Sequence, residues 1–222
     1  MPTTRRQFLD RLALGAAAGA LPLALGPLAS TLDAAVPALS GHAPGADKWD
    51  VAWTRRITGK HRVVFDVPEI ESGYGVWRAT IWTSQYRDVL GVPASELSPV
   101  LVLRHNGIAL AMQPEFWERY GIGKALKATH PITQEPTDAN PALSAGIPAP
   151  YDAMALDRYL ARGGVALACN LALEDYVPRI AEQEKLSVDA ARARARALLL
   201  PGVILQPSGV FAVMRAQDAG CR

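Results

Sequence analysis

The chain has 222 residues, half of them hydrophobic, with 23 Lys and Arg against 21 Asp and Glu and a net charge of +2. That near balance offers no electrostatic case for nucleic acid, whose binding needs a basic patch or stripe. Two cysteines permit a disulfide without requiring one, and His42, His61, His105 and His130 have no ligand spacing, so neither a metal nor a cofactor is expected.

The N-terminus reads as an address. "TTRRQFLD" (Thr3 to Asp10) precedes an apolar stretch with no charge from Leu12 to Leu32, then small residues. A positive head, an apolar middle and a small-residue exit make a secretory signal. Arg5-Arg6 followed by Gln7, Phe8 and Leu9 resembles the twin-arginine signal, which exports proteins already folded. A retained membrane anchor is the alternative, because the run is about long enough to span a bilayer. We take residues 1–43 as the signal, with cleavage between Ala34 and Ala43, and expect a periplasmic or secreted protein. Removing 1–43 takes three of 23 basic and two of 21 acidic residues, leaving a net +1. What remains is long enough for one domain with a substantial core. No other run is apolar enough to cross a membrane, so none is expected as a partner once the signal is gone.

Residues 44–60 mix Pro, Gly and charge and read as an arm or linker; Trp49 and Trp53 there suit a subunit contact. "HRVVFDV" (His61 to Val67) is a strand. After it, Val76, Ile81, Trp82, Tyr86, Val89 and Leu90 recur at helical spacing, with Gly91 as the stop. "SPVLVLRHNGIAL" begins as a strand buried on both faces. Pro114 opens a short helix. From Lys124 to Pro150 the chain is rich in Pro, Thr, Asn and Gly, a surface excursion long enough to be functional or mobile. "YDAMALDRYLARGG" is a helix closed by two glycines, and "VALAC" is another buried strand. "SVDAARARARALLL" is a helix with a solvated face of Arg192, Arg194 and Arg196. A strand in "GVILQP" and a helix in "SGVFAVMRAQDAG" follow. Trp77, Trp82, Trp117 and Tyr120 lie on helical faces and read as core.

Strands that are apolar throughout, alternating with helices, predict an α/β domain: a mostly parallel sheet with helices on both faces. Ligands of such sheets bind at the carboxyl ends of the strands. His105, Asn106, Cys169, Asn170 and Ser208 all fall there. There is no GxGxxG, no P-loop and no GxSxG, so dinucleotide, nucleotide and serine-hydrolase chemistry lose their main signals.

The C-terminal text carries a resemblance. Leu200-Pro201-Gly202-Val203, Pro207-Ser208-Gly209 and Gln217-Asp218-Ala219-Gly220 are spaced as in the closing segment of the DsrE/DsrF-like sulfur-relay family. "VALACNLAL" resembles that family's strand ending in a persulfide-bearing cysteine, and "VLVLRHNGIAL" its strand ending in His-x-Gly. Residues 61–222 therefore resemble a DsrE-like domain, a flavodoxin- or Rossmann-like three-layer sandwich, with a long insertion at 124–150. Only Cys221 and Arg222 stand where the family has a last strand. The resemblance implies a homo-oligomer that exchanges sulfur with a small-molecule or protein-bound donor and acceptor.

On this reading Cys169 accepts the persulfide and His105 assists as acid, base or tuning group. A carrier thiol must be accessible as thiolate, which a helix N-terminus or a nearby cation favours. An inert core thiol and a disulfide to Cys221 are the alternatives for Cys169, and Cys221 is otherwise a second, resolving thiol. Arg104 is a candidate counter-charge, or merely solvated. Asn106 and Asn170 join the rim, and Asn106-Gly107 is also simple turn chemistry. The rival function is a non-catalytic ligand-binding or assembly module using the same rim or the 124–150 loop.

Overall fold

The computed structural model describes residues 49–222. The expected signal at 1–43, its cleavage point and the start of the arm lie outside the described residues. Four strands, β1 (His61–Val67), β2 (Leu97–Leu103), β3 (Val165–Cys169) and β4 (Ile204–Gln206), form one sheet in the order β1-β2-β3-β4, all parallel. Between β1 and β2 runs α1 (Tyr74–Leu90). Between β2 and β3 come α2 (Pro114–Arg119), α3 (Ile122–Leu126) and α4 (Leu156–Ala161). The β3–β4 connection carries α5 (Asn170–Glu174), α6 (Val177–Glu184) and α7 (Val188–Ala197), and α8 (Gly209–Asp218) follows β4.

Helix ends follow local chemistry. Gly91 takes a left-handed φ of 66° and donates to Arg87 O, the bond of an αL C-cap that closes α1, while Val92 donates to Tyr86 O. Pro114 starts α2, and the Ser187 and Ser208 hydroxyls cap α7 and α8.

Stepping across the sheet in one direction, right-handed crossovers place their helices on one face. The packing agrees. Leu101, Leu103, Ala166 and Ala168 face a front cluster with Val76, Phe116, Trp117, Leu156 and Ala191. Val100, Val102, Val165 and Leu167 face a smaller back cluster. There α8 supplies Ala212 and Ala216, and the N-terminal arm supplies Trp53 and Ile57. Helices thus lie on both faces, in unequal layers. Arg222 pairs with the outer edge of β1, donating to Arg62 O and accepting from Val64 N–H.

Three local expectations change. Trp53 is 1% exposed and donates to the Gln206 carboxamide, so it anchors the arm to its own sheet rather than offering itself to another subunit. The 124–150 excursion is packed, not loose. Asn140 within it is buried and its Nδ2 donates to Leu110 O and Met112 O, stitching the loop to the turn after β2. The helix expected from Tyr151 is broken at Ala155, because Leu156 N–H starts α4 by donating to Ala142 O of the loop.

The arginine face of α7 is also not simply solvated. Arg192 binds Glu174 and Asp189, and Arg194 pairs with Glu115 and Glu184. Glu184 further accepts from Arg119 and from the Tyr120 hydroxyl, which joins α2 to α6 and α7. The Tyr120 hydrogen bond, with Arg119 and Arg194, holds the Glu184 carboxyl below its usual range. Burial first, then the same bond, pushes Tyr120 up to about 12. A lowered folded value means that Glu184 contributes stability above the ordinary carboxylate range of ~4.3 and loses it as pH falls through the folded value. Thermal melts from pH 7 to pH 3 should therefore show Glu184→Gln less stable at neutrality, with the gap to wild type closing in acid. A gap that stays constant with pH would show that Glu184 acts through packing alone.

Candidate functional site

The carboxyl ends of the strands hold two separate polar groups. In the first, Arg104 leaves β2 extended and its backbone N–H donates to Val67 O at 3.1 Å. Its guanidinium forks onto Asp66 of β1, Nε to Oδ1 at 2.7 Å and Nη2 to Oδ2 at 2.6 Å. Bidentate geometry of this kind fixes a guanidinium plane as well as its position. The Arg104 stem lies on Gly209, where an added Cβ would sit 2.5 Å from Arg104 Cβ and Cδ. The residue that opens α8 must therefore be glycine if Arg104 is to lie there.

Register brings Cys169 to this group. Leu103 pairs with Ala168, so the next residues along the two strands are Arg104 and Cys169. The Arg104 pKa is raised, by the Asp66 hydrogen bond first. Cys169 caps α5, its Sγ accepting from Ala172 N–H at 3.4 Å, and it is 6% exposed. Asn170, the next residue, is 8% exposed, and its Oδ1 is a buried acceptor with no hydrogen-bond partner. Such atoms are rare and call for an explanation, a ligand or water among them. Ser208 sits at the end of β4 and spends its hydroxyl on capping α8 through Phe211 N–H at 3.0 Å.

The second group turns outward. His105 has a positive φ of 50°, an uncommon conformation for a residue with a side chain. Its Nδ1 meets Glu69 Oε1 at 2.9 Å, and Asn106 Nδ2 donates to Glu69 Oε2 at 2.7 Å. The imidazole is 63% exposed and leaves Nε2 to solvent. No hydrogen bond among the described residues joins His105 to Cys169. The strain at His105 is held by Gly107, which donates to Pro68 O and packs against Val67 O.

Both cysteines are free and buried. Cys169 packs in the front cluster and Cys221 in the back one, so the disulfide weighed from the sequence does not form. Cys221 is also no flexible second thiol: it is 5% exposed, its N–H donates to Ala216 O, and burial pushes its thiol up. Among the described residues no group of three or more His, Cys, Asp or Glu converges on a metal position, and no helix is long and apolar enough to cross a membrane.

Asp66 and Glu69 were not singled out from the sequence, and Gly209 was named only within the Pro207-Ser208-Gly209 turn. The signal was present in "FDVPE", two acids flanking the end of a strand, yet it becomes meaningful only once β1 is known to lie beside β2. Away from the rim, a cavity of about 540 Å³ is lined by Gly123, Lys124, Lys127, Thr129, Thr137 and Asp138 of α3 and the long loop. Comparison with protein-family models, curated proteins and solved structures finds no match for this chain.

Proposed function

We propose that this chain is an exported, DsrE-like sulfur carrier in which Cys169 accepts a sulfane sulfur and passes it on. The observation that carries this reading is the position of Cys169: it ends β3 at the sheet's carboxyl rim, caps a helix, and lies one register step from the clamped cation Arg104. In the transfer, the Cys169 thiolate attacks a sulfane sulfur of the donor. An Sγ–S bond forms as the donor S–S bond breaks, and the donor's remaining sulfur leaves with the electron pair. Passing the sulfur on is the same exchange with an acceptor thiolate, so no external oxidant is needed. The exposed imidazole of His105 is free to move the proton at the rim.

At 6% exposure, Cys169 should react with small reagents and resist bulky ones. Incubation with inorganic polysulfide should add one sulfur mass to the protein, localised to Cys169 by peptide mapping and absent in Cys169→Ser. A bulky maleimide should leave the residue unlabelled in the folded protein. An unmodified Cys169 after polysulfide treatment would sink the carrier reading. The cavity at Lys124 and Lys127 favours a second reading, a ligand-binding module of the same fold, which that negative result would promote.

A further inference from the structure

We propose that the cavity at the amino ends of β2 and β3 binds a phosphate dianion, free or carried on a small organic ester, with Arg56 and Arg162 as its recognition pair. Val165 opens β3 here and Cys169 closes it at the other rim, so the inference stands apart from the carrier reading. The cavity measures about 240 Å³ and lies between the N-terminal arm, the start of β2 and the turn that enters β3. That is below the ~300–1,000 Å³ of a drug-sized pocket, so it suits a small ligand. Arg56 ends the arm's 3₁₀ turn (Ala52–Arg56), which Trp53 and Ile57 pin to the back of the sheet. Its Nη2 donates to Gly163 O at 2.9 Å and to Gly164 O at 3.1 Å. Arg162, the residue just before those carbonyls, follows α4, and its Nη2 donates to Ala153 O at 2.9 Å and to Thr80 Oγ1 at 3.3 Å. The turn has no slack: a Cβ on Gly164 would lie 2.3 Å from Tyr159 Cε1. Each guanidinium is thus oriented by neutral oxygens, and among the described residues each keeps Nε and both Nη1 donors unspent.

Charge decides what those donors suit. Among the described residues neither arginine pairs with a carboxylate, and no acidic residue lines this cavity. Asp157 borders a second hollow on the other side of Arg56, but its two oxygens hold the Ser144 N–H and hydroxyl. Both positive charges also act on one point, the Tyr159 hydroxyl in the cavity wall. Burial first pushes its pKa up, and Arg56 and Arg162 each work against that shift. Ser98 lines the same space; its Oγ accepts from Gly59 N–H, which leaves its own proton to donate. Two unneutralised guanidiniums match the charge of a phosphate group near neutral pH, about −1.5 to −2. Their N–H groups suit phosphate oxygens in geometry as well as in charge. Ile57, Leu97 and Val165 give the cavity an apolar wall on which the organic part of an ester can lie.

Isothermal titration calorimetry near neutral pH, in a phosphate-free buffer, tests this with inorganic phosphate, propyl phosphate and the monoanion butyrate. Both phosphates should bind the wild type, and butyrate should bind more weakly than either. Tighter binding of the propyl ester places its organic part on the apolar wall, whereas equal binding assigns the site to free phosphate. Arg56→Gln and Arg162→Gln should each weaken phosphate binding about tenfold, the scale of one hydrogen bond to a charged group. Either substitution also releases the carbonyls that the arginine holds, so Ala94→Glu serves as a second variant. Ala94 is an exposed residue of the cavity wall that makes none of these side-chain bonds. A carboxylate there should abolish phosphate binding while the ligand-free melt by circular dichroism stays at the wild-type temperature. Absence of binding by both phosphates in the wild type, or phosphate binding that survives in all three variants, overturns the inference. Butyrate bound as tightly as the phosphates overturns the assignment to a dianion.

Discussion

Gly107→Ala is expected to lower stability by about 3 kcal/mol, at the upper end of what overpacking usually costs. A Cβ at position 107 would lie 2.1 Å from Val67 O and 3.0 Å from Val67 C. These are backbone atoms at the end of β1, held in the sheet by pairing with β2 and unable to swing away as a side chain would. Val67 O also accepts Arg104 N–H, so moving it disturbs the arginine clamp as well. For a domain of this size the loss corresponds to roughly 6–12 °C in Tm. Gly91→Ala makes the control. It meets nothing within 4 Å and bears only the left-handed φ of 66°, so about 1–2 kcal/mol is expected. Differential scanning calorimetry of both variants decides the matter; a Gly107→Ala melt no lower than that of Gly91→Ala would show that the rim backbone relaxes.

The architecture was legible where a short segment carries its own evidence. "VLVL" in β2 and "VALA" in β3 are apolar on both sides because front and back clusters share them, and that is the pattern a covered parallel strand must show. Gly91 did the local work expected of a C-terminal glycine, whereas Ser208, taken from the sequence as a rim residue, spends its hydroxyl on capping α8. What escaped were partnerships between distant segments. Arg192 and Arg194 look solvated on a helical wheel, and nothing in their spacing discloses that Glu174, Glu115 and Glu184 arrive from other elements. Glu69 likewise becomes a partner of His105 only through the pairing of β1 with β2.

The two cysteines show the same limit at the site itself. Alternation along β3 puts Leu167 on the back and Ala168 on the front, but it says nothing certain about Cys169, where strand hands over to helix. The helical cap rotates Sγ toward Ala172 N–H, and with it into the front cluster. Cys221 arrives by the opposite route, because α8 returns behind the sheet. The distance in sequence between the thiols, 169 to 221, carries none of this. Arg104 was visible as a candidate counter-charge, but its fork onto Asp66 and its seat on Gly209 bring together segments far apart in sequence.

Trp53→Ala should cost about 3–5 kcal/mol, the range for removing a buried aromatic from a core. The back layer consists of α8 and the arm, so Trp53 and Ile57 cover strand residues that have few other neighbours to close the gap. The loss has two parts that a mutant series can separate. Trp53 Nε1 donates to Gln206 Oε1 at 3.1 Å, and Gln206 is fully buried, with its Nε2 on Asp50 O and Leu205 O. Trp53→Phe keeps much of the packing and strands the Gln206 oxygen, so about 1–3 kcal/mol is expected. Adding Gln206→Leu removes the stranded acceptor but also frees the Asp50 and Leu205 carbonyls. The double variant therefore recovers stability only if the Trp53 bond dominates what Gln206 does. Urea melts of wild type, Trp53→Phe, Gln206→Leu and the double variant give that coupling directly, and repeating them over a range of protein concentrations tests the role assigned to the tryptophan. A Trp53 effect independent of concentration is the signature of an anchor within one chain, whereas an effect that fades on dilution would return Trp53 to a contact between subunits.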